Sequence, residues 1–125
     1  MLPLFGAAFE IASAAGEEFL AADAAHMAAL AAPERPEKLA WTDHGVRIAN
    51  ASADRHVQYW LGPLYNNLGC EYMDAGEHEA ALDAFQLALA SRQTFPETPA
   101  LIQHAKDAVK EALQALGRED EARRV

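Results

Sequence analysis

Five histidines, one cysteine and a run of carboxylates around a glycine are the side chains here best suited to chemistry. His26, His44, His56, His78 and His104 are scattered along the chain. None is paired three or four residues away with another ligand in a zinc pattern, the spacing that places two donors on one helix face. Glu71, Asp74, Glu77, His78 and Glu79 gather around Gly76. Such a cluster suits a solvated turn and an exposed helix start better than a cation site. Cys70 is the one cysteine. A catalytic thiol needs a neighbouring base or cation to become a thiolate. No lysine lies within a helical turn of Cys70, and no histidine is tied to it by spacing. Ser13, Ser52 and Ser91 lack a nucleophile elbow, and no glycine-rich phosphate loop is present. The residues therefore predict no catalytic, metal-ligating or cofactor-binding site, and a protein that is not an enzyme.

The bulk properties narrow the partners. The chain has 125 residues, 51% of them hydrophobic, which predicts one folded domain with a real core. Alanine dominates the apolar content, and its helix propensity favours an all-α fold. Nineteen acidic residues against ten basic ones give a net charge of −9. Phosphate backbones and anionic membranes are bound by lysine and arginine clusters, so neither nucleic acid nor membrane is expected. One cysteine excludes an internal disulfide and fits a reducing cytoplasm. No apolar run approaches the roughly 20 residues of a membrane span.

The elements that must position these residues read as helices. A short apolar helix over 4–15 ends near Gly16, a C′ candidate. Glu17 and Glu18 suit the first turn of the next helix, which carries Phe19, Leu20, Met27 and Leu30 and stops at Pro33. Pro36 suits the start of a helix over 37–50, with Leu39, Ala40, Val46 and Ile48 expected to be buried. Asp54 is expected to cap one bent helix running to Asp74 through Pro63. Gly76 closes it, and a helix follows over 77–92. Thr98 and Pro99 form a cap-plus-N1 signal for the helix ending at Gly117.

A shift of 41 residues relates these segments. It carries Gly76 to Gly117, Ala40 to Ala81 to Ala122, Met27 to Leu68 to Val109, and Ala31 to Tyr72 to Leu113. The units are then about 17–50, 54–92 and 98–125, preceded by a partial helix over 4–15. An internal period of this size predicts a helical solenoid of six to seven helices.

The central unit resembles a tetratricopeptide repeat. Tyr65, Leu68-Gly69, Tyr72, Ala81, Phe85 and Pro96 stand at the family's aromatic, Leu-Gly, Tyr, Ala, Phe and Pro positions, with Gly76 at its turn. Ala28 and Ala31 depart from the pattern in the first unit, and Lys110 in the third. The longer period is similar to the extended repeats of kinesin light chains and bacterial regulators. The resemblance implies a right-handed array of hairpins whose first helices line a concave groove. Carried over by position, that groove takes His26 from the first unit; Asn66, Asn67, Cys70 and Asp74 from the second; and His104, Asp107 and Glu111 from the third. Asn67 matches the asparagine with which many members hold a peptide backbone or carboxylate. Ala25, Ala29, His104 and Ala108 stand where a carboxylate clamp would have its cations, so an acidic peptide terminus is not the expected ligand. The expected function is a protein-interaction module that binds a basic or amphipathic peptide or helix. A reading of another class is a regulatory domain that senses a small molecule or signalling peptide. Apolar, uncapped ends point to homodimerisation.

Overall fold

The computed structural model of the protein describes residues 2–125, which are all-helical with no strand among them. The helices are α1 (Leu2–Ala14), α2 (Glu18–Ala31), α3 (Arg35–Ala51), the single turn α4 (Arg55–Gln58), α5 (Leu61–Asp74), α6 (His78–Gln93), α7 (Pro99–Ala115) and the short α8 (Glu119–Arg123). They group into two compact units, one running up to Leu64 and one from Tyr65 onward. No described helix is long and apolar enough to cross a membrane.

Three connections share one geometry. Gly16, Gly76 and Gly117 have φ of 75°, 76° and 75°, a left-handed conformation that only glycine adopts without strain. At each, the glycine N–H and the N–H after it turn back to the carbonyls of the preceding helix. Glu17 N donates to Ala12 O at 2.8 Å, Glu77 N to Tyr72 O at 2.9 Å, and Arg118 N to Leu113 O at 2.9 Å. These bonds satisfy carbonyls that a helix end otherwise leaves open. Five residues beyond each glycine stands a buried alanine: Ala21, Ala81 and Ala122. The Gly76 and Gly117 turns obey the 41-residue register, whereas the Gly16 turn stands outside it. The early hairpin with this geometry is α1–α2; the sequence register pairs α2 with α3, and α2 packs on both. The α2–α3 connection is different, extended at Ala32 and Glu34, with Pro36 in the first turn of α3.

In the first unit the buried residues are mostly alanine: Ala21, Ala22, Ala24, Ala25, Ala28 and Ala29 all come from α2. The large side chains of that helix, Phe19, Leu20, Met27 and Leu30, face outward. On α3 the buried face is Thr42, Gly45 and Ala49. The expectation for Leu39, Ala40, Val46 and Ile48 fails by a rotation: Ala40 is exposed and the other three are half-buried. The reason is Gly45. A Cβ there would stand 2.9 Å from Leu64 Cδ2 and 3.4 Å from Ala25 Cβ, so the close approach runs along the small residues. Lys38 Nζ, on α3, reaches the Ala29 and Leu30 carbonyls at the end of α2 at 3.4 Å. A cation suits that negative helix end.

The single bent helix expected over Pro63 is two elements. Asp54 Oδ1 accepts from His56 N at 2.8 Å and caps α4, as its type predicts. The helix then stops, and α5 begins at Leu61 with Pro63 in its first turn, where proline's missing N–H has no carbonyl to serve. Gly62 N and Leu64 N bond to Tyr59 O and Trp60 O on either side of it. Thr98 precedes Pro99 at the start of α7 as expected, yet its hydroxyl donates backward to Phe95 O at 2.8 Å and caps no N–H.

The second unit has a larger-residue core. Ala81, Leu82 and Phe85 of α6 meet Val109, Ala112 and Leu113 of α7 and Ala122 of α8, with Tyr72 and Met73 of α5 packed against them. Gly69 makes this possible: a Cβ on it would fall 2.4 Å from Phe85 Cδ1 and Cε1. The aromatic ring fills the notch that the missing side chain leaves. Burying such a ring contributes about 1.5–3 kcal/mol. Arg118 spans the turn before α8, with its guanidinium paired to Glu121 and 3.6 Å from Glu79 on α6.

Candidate functional site

The second unit places seven of the expected groove residues on two helices, α5 and α7, and brings some of them together around Cys70. Asn66, one turn earlier on α5, directs its amide nitrogen at Cys70 Sγ at 4.0 Å. The other amide atom, Oδ1, is closed off from solvent with no hydrogen-bond partner among the described residues. The thiol is accessible. Partial burial nonetheless pushes it above its ordinary value, and the carboxylates of Asp74, Glu111 and Glu71 add to that push. Glu111 belongs to α7, so acidic groups of both helices act on the same sulfur. A thiol so surrounded is held toward its protonated form.

Asp107, one turn before Glu111, is exposed and held by Gln103 Nε2, which donates to Oδ1 at 2.9 Å. Asn67 is half-buried on α5. His104 has a neighbour that sequence reasoning did not single out. Arg92, at the end of α6, is buried, and its Nη1 lies 3.3 Å from His104 Nδ1 and 3.5 Å from the Leu101 carbonyl. A guanidinium only donates, so in this contact His104 Nδ1 is the acceptor. A buried arginine is rare, but its signal was in the spacing. Ala81, Ala88 and Arg92 continue one α6 stripe, so Arg92 occupies a core position.

His26 lies in the first unit. Its ring centroid stands 5.3 Å from that of Trp60, which also meets Phe19 at 5.6 Å and Tyr59 at 6.2 Å. Burial among these rings depresses the imidazole below its ordinary value, partly offset by Asp23. A second aromatic group, Phe9, Trp41 and His44, joins α1 to α3 with centroids 5.4 Å apart. Neither cluster was legible as a unit in the sequence, because its members come from separate helices.

Among the described residues no group of three or more His, Cys, Asp or Glu is placed to hold a metal ion. The carboxylates around Gly76 do not converge: Asp74, Glu77 and Glu79 are exposed, and Glu79 turns toward Arg118. Comparison with protein-family models, curated proteins and solved structures finds no match.

Proposed function

We propose that this chain is a non-catalytic interaction module built from tetratricopeptide-like hairpins. In this reading the strip of Asn66, Asn67, Cys70 and Asp74 on α5 and His104, Asp107 and Glu111 on α7 holds a basic or amphipathic segment of a partner protein. The observation that carries the reading is the convergence at Cys70, where carboxylates of α5 and α7 act on one accessible sulfur beside the Asn66 amide. Two helices thus share one acidic, amide-bearing surface. Opposite charge draws a cationic segment to it and sets its register, while the amides pair with its backbone. The repeated glycine turns and the Gly69–Phe85 notch support the hairpin family.

A labelled lysine-rich peptide tests this. It is expected to bind the full chain and to slow alkylation of Cys70. Asp107→Lys and Glu111→Lys should each weaken binding by about tenfold, equivalent to about 1.4 kcal/mol. Asn67→Ala should weaken it less. Peptide binding that ignores all three variants and leaves Cys70 alkylation unchanged would remove the strip from the function.

A further inference from the structure

The hairpin α1–α2 carries an apolar cleft of about 520 Å³. Phe5 and Ile11 line it from α1, and Leu20 and Met27 from α2, over a floor of alanines. Ile11 is 72% exposed and Leu20 55%, with Leu4 and Leu30 open on the same two helices. Soluble proteins seldom leave so many large apolar side chains together in water without a partner for them. Leu4 and Ile11 stand seven residues apart on α1, and so do Leu20 and Met27 on α2. Two antiparallel rows at that spacing make a groove that runs along the helices. A third helix laid in it buries both rows with anchors at every third or fourth residue.

Charge selects the occupant. Glu17 and Asp23 are the charged residues of the lining. Residues 2–31 contain Glu10, Glu17, Glu18 and Asp23 and no lysine or arginine. A second copy of this face would set these carboxylates against their own kind, on chains of net charge −9. We propose that the α1–α2 cleft docks one basic amphipathic helix of a partner protein, its apolar stripe on Ile11, Leu20 and Met27 and its lysines or arginines on Glu17 and Asp23. This surface stands on the first unit alone and is independent of the strip on α5 and α7.

The test uses the full chain and three peptides of about 14 residues, long enough to run some 20 Å as a helix. One is a leucine–lysine amphipathic helix, one has the same composition permuted to destroy the stripe, and one replaces lysine by glutamate. The amphipathic lysine peptide should bind at least about tenfold more tightly than the other two, a difference of about 1.4 kcal/mol. Ile11→Ser should abolish the advantage over the permuted peptide with an unchanged circular dichroism spectrum. The double change Glu17→Lys and Asp23→Lys should transfer the preference to the glutamate peptide. The acidic strip on α5 and α7 responds to lysine but not to the stripe, so Asp107→Lys, in the other unit, should leave that advantage as it was. Equal binding of the permuted peptide, or an advantage that survives both cleft variants, overturns the proposal. So does an advantage lost only with Asp107→Lys. Sedimentation that finds dimers which Ile11→Ser converts to monomers would give the cleft to a second copy instead.

Discussion

His26 shows how a single side chain ties the fold to pH. Its imidazole is held below the ordinary value, first by burial beside Trp60 and against the pull of Asp23. The unfolded chain therefore takes up a proton here that the folded chain resists. The stability involved is complete above the unfolded value of about 6.5 and is lost as the pH falls below it, levelling off beneath the folded value. The melting temperature of the wild type should accordingly drop further between pH 7.5 and pH 5 than that of His26→Gln. Identical slopes would show that the ring is solvated. Arg92 makes the same point in reverse: a permanently charged group is kept inside, with the Leu101 carbonyl and His104 Nδ1 beside it. Chemistry at this scale was only partly legible. The solvated charges near Gly76 follow from sequence spacing, whereas the gathering of Asn66 and Glu111 at Cys70 does not. The surroundings of His26 and Arg92 depend on helices distant in sequence.

The helices themselves were read with more success, and the errors have physical causes. Alanine content and apolar spacing predict an all-helical chain, and Asp54, Pro99 and the three turn glycines fall where their backbone chemistry places them. On α3 the size of Leu39, Val46 and Ile48 points to the wrong buried face, because Gly45 brings the small residues into contact. The Gly16 turn lies outside the 41-residue register, so its kinship with Gly76 and Gly117 appears in the backbone, in the shared φ and the returning hydrogen bonds. The crossing of α5 and α6 offers the sharpest check at this scale. Gly69→Ala gains helix propensity, worth roughly 1 kcal/mol, yet it drives a methyl group into Phe85. The overpacking costs about 1–3 kcal/mol, so a net loss of stability is expected in urea unfolding. In a Phe85→Leu background the same change should become neutral or stabilising, because the clashing ring is gone. A penalty that persists without the ring would mean the notch has another cause.

Across the whole molecule the excess of acid sets the response to salt. Exposed pairs such as Arg47–Asp43 and Arg118–Glu121 contribute little and weaken with screening. Self-repulsion within a chain of net charge −9 weakens too, and it acts over many more pairs. Raising sodium chloride from 10 to 200 mM shortens the screening length from about 30 Å to under 10 Å. The melting temperature should rise over that range while affinity for any lysine-rich peptide falls. A melting temperature that falls with salt would mean that the ion pairs outweigh the repulsion. The two units also differ in how their interiors are made. The second interlocks, with Phe85 seated in the Gly69 notch. The first meets its neighbours through methyl groups, since nearly everything α2 buries is alanine. Methyl groups have no rotamers to exchange and raise no ridges tall enough to catch. The contact surface of α2 is therefore smooth and close-packed, while α6 is keyed by a single ring in a notch. A helix settling on the outer face of α1 and α2 would rest on a bed with no buried side chain to rearrange beneath it, so its fit is decided by the large residues it meets at the surface.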